Sequence, residues 1–254
     1  LFGKYALQKR VQHRPVESSR FGLRIAHDKV LQENEAENLM VDLHKRAACA
    51  DSKNWAAAQL DELIIMALLS SGLRNSEFCS LAVGDTILGS GTSAFVVRRP
   101  ARRKRTVFVP RRVSSLVEQY AGTVRPRFLP EGTDPDDRTK PLLFNEHRRP
   151  FDRTGLYRRV VRILTEAGLG DRANVQLLRH TYGYLAYLRT GGNLLFVQRQ
   201  LGHAHPATTC VYAKLVDESY SDLAERIMPG GRPMGAIEGK PGGKTVPRFD
   251  CEID

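Results

Sequence analysis

Leu201-Gly202-His203-Ala204-His205-Pro206-Ala207-Thr208-Thr209-Cys210-Val211-Tyr212 joins the end of one helix to the start of another. Leu194–Leu201, just before it, has helical patterning, with Asn193 as cap and Gly202 as stop. Pro206 stands where proline suits a helix start, so Pro206–Lys214 reads as a further helix carrying Tyr212. Val216–Ile227 continues as a last amphipathic helix. Upstream, Val175–Arg189 is helical, capped by Asn174 and stopped by Gly191-Gly192.

Moving outward, helical patterning covers Asp28 to about Arg46, Ala56–Ser71 up to Gly72, Val113–Tyr120, and Thr154–Ala167 up to Gly168. Asn75–Leu81 reads as a short helical turn. Ala94–Arg99 and Arg105–Val109 read as a hairpin whose turn contains Pro100 and whose tip, Arg98–Arg105, is almost entirely cationic. Leu142–Phe144 suggests a small strand. Gly122–Lys140, rich in Pro, Gly and Asp, suggests a surface loop. The fold class is therefore mainly α with a small antiparallel β-hairpin or sheet. The expected organisation is a basic arm or linker over residues 1–27, one domain over 28–228, and a flexible Gly- and Pro-rich tail over 229–254.

The 254 residues, 41% of them hydrophobic, are enough for a sizeable core. No apolar run reaches membrane-span length, and Leu1–Arg14 lacks the apolar core of a signal peptide. Lys plus Arg is 39 against 28 Asp plus Glu, a net charge of +11 that favours a polyanion such as nucleic acid. Cys49, Cys79, Cys210 and Cys251 form no C-x-x-C pair, which fits a reducing, cytoplasmic setting. His203, His205 and Cys210 have no evident fourth partner for a metal, so neither metal nor cofactor is expected.

Three short motifs carry the chemistry. Gly72-Leu73-Arg74-Asn75-Ser76-Glu77 followed by Leu81 resembles the first arginine box of the tyrosine site-specific recombinases, the phage integrase and Xer-like enzymes. Leu178-Arg179-His180-Thr181 resembles the second box, and Leu201-Gly202-His203 with Thr208-Thr209 and Val211-Tyr212 resembles the third. One box alone is a weak signal; three in family order, with the hairpin between the first two, are a strong one. The resemblance covers roughly Asn34–Ile227 and implies an integrase-like catalytic domain.

The resemblance implies that Tyr212 attacks a DNA phosphodiester, stores its bond energy as a 3′-phosphotyrosine ester, and returns it to another 5′ hydroxyl. Arg74 and Arg179 would neutralise the transition state, since a guanidinium fork matches two phosphate oxygens. A free tyrosine has a pKa of about 10, so Tyr212 needs cations or a proton acceptor beside it. His203 would bond the scissile phosphate or manage that proton, while His180 and Glu77 would buttress. Double-stranded DNA is the expected partner, with copies assembled as a tetramer on it and the helix after Tyr212 linking them. The biological outcome would be integration, excision or resolution of a mobile element. A DNA-binding protein of the same fold with weakened catalysis, or type IB topoisomerase-like cleavage, are the alternatives.

Two positions depart from the family pattern. Gln176 stands three residues before Arg179, where histidine or lysine is usual; it can bond a phosphate but supplies neither charge nor proton. The hairpin position of the lysine that normally protonates the leaving oxygen holds Arg99, and arginine is a poor acid. Lys104 can take that role if the turn folds differently. Otherwise Arg98, Arg99, Arg102, Arg103 and Arg105 form a stripe that grips DNA phosphates. These enzymes usually carry a helical core-binding domain ahead of the catalytic one, and Leu1–Asp28 is too short to supply it.

Overall fold

The computed structural model describes residues 25–89, 91–99 and 102–215. The expected arm before residue 25, the Val216–Ile227 helix and the tail lie outside these residues. The helices are α1 (Glu33–Cys49), α2 (Trp55–Ser71), α3 (Asn75–Cys79), α4 (Arg111–Gln119), α5 (Arg125–Phe128), α6 (Arg153–Glu166), α7 (Val175–Arg189), α8 (Leu194–Leu201) and α9 (Cys210–Ala213). The strands are β1 (Thr86–Ile87), β2 (Ala94–Arg99) and β3 (Arg102–Phe108), paired antiparallel in that order.

α2 is the centre of the helical layer. Its residues from Glu62 through Leu69 are all buried, so it has no solvent face there, and α1, α4, α6 and α7 all pack against it. α1 buries Ala36, Leu39, Leu43 and Ala47, whose three- and four-residue spacing makes one apolar stripe. It starts later than its pattern suggests: His27–Lys29 is a lone 3-10 turn, and the Gln32 N–H donates to Glu35 Oε2 at 2.8 Å to open the helix. Gly72 ends α2 with φ 60°, and a Cβ there would stand 2.6 Å from Leu201 Cδ2.

The sheet packs against α8 through β3. Phe95 pairs with Val107 and Val97 with Arg105, and Phe95, Val97 and Val107 are buried. Directly paired residues share a face, so the two-residue period puts Arg105 on the inward face and Lys104 on the outward one. The cationic run is thus split between two faces.

Two expected elements are corrected. The loop expected over Gly122–Lys140 begins as helix: a π turn at Tyr120–Val124 leads from α4 into α5 and buries Val124, Arg125 and Phe128. Pro126 occupies the first turn of α5, where a missing N–H is harmless, so it does not break the chain's helical course. Arg125 then fastens the remaining loop by donating to the carbonyls of Pro135 at 2.9 Å and Pro141 at 3.0 Å. Leu142–Phe144 is buried but makes only isolated bridges, Ala82 to Pro141 and Phe144 to Pro150, in place of a strand.

α7, α8 and α9 form a second, smaller core of Val30, Tyr182, Val197, Leu201, Val211, Tyr212 and Leu215. The caps read from sequence hold it in register: Asn174 Oδ1 accepts from the Leu177 N–H at 2.8 Å, and Asn193 Oδ1 from that of Phe196 at 2.9 Å. Gly202, φ 64°, ends α8.

Candidate active site

The three sequence boxes meet where α3, α7, α8 and α9 converge. Arg74 caps α3, directly after the left-handed Gly72 and Leu73. Its Nη1 donates to Glu77 Oε1 at 3.0 Å, and its backbone N–H donates to Glu77 Oε2 at 3.0 Å. Arg179, on α7, is 5% exposed; its Nη1 donates to the Gly72 carbonyl and its Nη2 to the Leu201 carbonyl at 2.8 Å. Two of its five N–H donors are used, leaving three for a ligand. Burial, with Arg74 nearby, lowers Arg179 to about 10, which keeps it charged at neutral pH.

Tyr212 sits in this basic surround with 1% exposure. Burial pushes its phenol up to about 12, against the pull of Arg179 and Arg74. Its Oη lies 3.3 Å from His180 Nδ1, and its ring stacks on His203 with centroids 6.4 Å apart at an interplanar angle of 7°. Burial, reinforced by Arg179, lowers His180 and brings His203 down to about 4, so both rings are neutral near pH 7. His203 Nδ1 is 2.9 Å from Thr209 Oγ1, which is buried, so the first of the two loop histidines is held by its own motif.

Gly183 explains how a full phenol fits there. A Cβ on this α7 glycine would stand 2.6 Å from Tyr212 Cε1. Only a glycine leaves the slot open, and its position in mid-helix, where glycine is costly, was the sequence signal for it. His180, read from sequence as structural, places its Nδ1 3.3 Å from the phenol oxygen.

The remaining expected residues take different positions. Gln176 is exposed and lines a pocket of about 200 Å³ with Arg74, Arg179, Asn75, Arg153 and Tyr157. Lys104 is exposed on the outer face of β3. Arg98 is exposed and pairs with Asp85. Arg99, Arg102 and Arg103 close the strands at the hairpin end, and their side chains lie outside the described set. Arg105, expected in the outward stripe, turns inward: its Nη2 donates to Glu77 Oε2 at 2.8 Å. The two-residue spacing from Val107 is compatible with this, but its pairing with buried Val97 is what fixes the direction. Among the described residues no three His, Cys, Asp or Glu side chains converge as a metal site requires. No described helix is long and apolar enough to cross a membrane.

The model of the phage integrase family matches residues 29–219. The tyrosine recombinase XerC of Lactobacillus leichmannii is 30% identical over 149 residues, 59% of this chain and 48% of that one. A tyrosine recombinase of Pseudothermotoga lettingae is 30% identical over 173 residues, 68% of this chain and 56% of that one. The chain thus spans about half the length of these curated relatives. Among solved structures, the XerA recombinase superposes with a TM-score of 0.58 at 25% identity, over 82% of this chain and 66% of that one. The XerH recombinase bound to its difH substrate superposes with a TM-score of 0.62 at 23% identity, over 80% of this chain and 54% of that one, a likeness of fold.

Proposed function

The chain belongs to the phage integrase family, and from that premise we propose that it is the catalytic part of a site-specific recombinase that cleaves and rejoins double-stranded DNA through Tyr212. The observation that carries the proposal is the buried phenol of Tyr212 beside Arg179 and Arg74. A phenol held at about 12 is unreactive alone, and a bound phosphate brings the transition-state charge that the two arginines neutralise.

In the proposed reaction Tyr212 Oη attacks phosphorus, forms an O–P bond to the 3′ side, and expels the 5′ oxygen. His180 Nδ1, neutral and 3.3 Å from Oη, is the acceptor for the phenol proton. His203, stacked on the ring, bonds the phosphate, and Gln176 adds a neutral hydrogen bond. Lys104, the lysine of the hairpin, is the candidate donor to the leaving oxygen, and Arg98, Arg99, Arg102 and Arg103 are candidate phosphate grips. A free 5′ hydroxyl of another strand reverses the step. The same reading carries assembly as a tetramer on DNA, a cytoplasmic location and action on a mobile element.

A nicked suicide duplex tests this. With a site selected from a random duplex library, the protein is expected to form a covalent adduct that survives denaturing electrophoresis; absence of the adduct on bound DNA removes the proposal. Gly183→Ala is expected to slow adduct formation about 100-fold, because a displacement of the phenol by an ångström costs that much. Quenched-flow sampling of the adduct against the parent protein measures it.

The lowered His203 also predicts an acid response. In the unfolded chain this ring takes up a proton near its ordinary 6.5, while in the fold it does so only near 4. The unfolded state therefore binds more protons between those values, and the contribution to stability present above 6.5 is lost as pH falls toward 4. Thermal melts from pH 7 to 4.5 are expected to fall less steeply for His203→Gln than for the parent. Parallel curves would contradict a buried, neutral His203.

A further inference from the structure

Arg105 joins three parts of the site that are distant in sequence. It leaves β3 on the face shared with Phe95, Val97 and Val107, and its side chain is 13% exposed. Nη2 donates to Glu77 Oε2 at 2.8 Å, and Nη1 donates to the Gln200 carbonyl. Glu77 in turn holds Arg74 through its other oxygen and through the Arg74 amide. The next carbonyl, Leu201, accepts from Arg179 at 2.8 Å and from Arg74 at 3.5 Å. Gln200 closes the same junction: its Oε1 accepts from the Phe108 N–H at 3.1 Å.

The local sequence makes this possible. Gly202 ends α8, and the carbonyls of Gln200 and Leu201 are last-turn acceptors at the negative end of the helix, which draw cations. A Cβ on Gly202 would stand 2.8 Å from Arg105 Cζ and Nε, so the glycine also clears the path of the guanidinium.

We propose that Arg105 is a positioning residue: it locks the base of the hairpin to Glu77 and to the end of α8, and so sets Arg74 and Arg179 for the scissile phosphate. The proposal rests on the strand-transfer reading above. A phosphate grip would keep its charge for DNA, whereas Arg105 directs one guanidinium nitrogen to a buried carboxylate and the other to a carbonyl. Lysine keeps the charge but cannot span both acceptors.

The test uses Arg105→Ala and Arg105→Lys on the nicked suicide duplex. Two quantities are read: the salt dependence of Kd, and the first-order rate of adduct formation at saturating DNA. The expected result is a rate about 100-fold lower for Arg105→Ala, partly rescued by Arg105→Lys, with the salt slope unchanged. A phosphate grip gives the reverse, a salt slope reduced by about one with the saturated rate kept; that result, or no change in either quantity, overturns the proposal. Should Arg105→Ala fail to fold, Arg105→Gln replaces it, since glutamine also removes the charge, and its saturated rate and salt slope are read against the same two outcomes. The parent protein is the internal control. If it forms no adduct, the strand-transfer reading fails and takes this proposal with it; if it does and the variants match it, only the role of Arg105 is lost.

Discussion

Tyr212→Phe is expected to abolish covalent capture of DNA while leaving the fold and DNA binding intact. Phenylalanine fills the same slot against Gly183, because the ring does the packing and the hydroxyl contributes one 3.3 Å contact to His180. Losing that contact costs on the order of 1 kcal/mol, which a folded domain tolerates. Removing the nucleophile is different in kind. No other group can form the O–P bond from that position, so adduct formation is expected to fall by at least about 10⁴-fold. Denaturing electrophoresis reads the adduct, and a gel shift on the same duplex reads binding. Adduct from the variant at the parent's rate would show that another residue attacks.

Arg179 carries the second large effect. Its side chain serves two purposes at once: it satisfies the carbonyls of Gly72 and Leu201, and it keeps further N–H donors for a ligand. Arg179→Lys retains a charge but offers no fork, so adduct formation on saturating DNA is expected to drop about 10²- to 10³-fold. Arg179→Ala would additionally leave the Gly72 carbonyl without this donor, costing about 1–3 kcal/mol if it stays buried, and Leu201 with the 3.5 Å contact from Arg74. The lysine variant is therefore the cleaner test, with its melting temperature measured alongside. A lysine variant with the parent's rate would remove Arg179 from the transition state.

Much of this was legible in the sequence because local signals agreed with the tertiary outcome. Asn174, Asn193, Gly72 and Gly202 mark helix ends by side-chain capping or left-handed backbone, and each does so in the structure. The three boxes meet because each stands on or beside a helix that faces the same cleft. What could not be read locally was direction and burial. Arg105 looks like one more cation in a basic tip, and only its pairing with Val97 shows that it faces inward. Gly122 and Pro126 look like breakers, yet a π turn and a first-turn proline let the helix continue and bury Arg125. Gly183 and His180 gained meaning only once α9 laid Tyr212 across α7. Lys104 stays exposed on the outer face of β3, and Gln176, which shares a pocket with Arg74 and Arg179, has no ionisable proton to give, so the attacking half of the proposed reaction is better furnished than the half that protonates the leaving oxygen.

The most direct measurement is the chemical identity of the protein–DNA bond. The adduct trapped on the suicide duplex is digested with nuclease and trypsin, and the modified peptide is sequenced by mass spectrometry. Trypsin cuts after Arg199 and Lys214, so the peptide Gln200–Lys214 holds Tyr212 as its single tyrosine. The account predicts a nucleotide 3′-phosphate on Tyr212. A nucleotide on any other residue, or one joined through its 5′-phosphate, would contradict it.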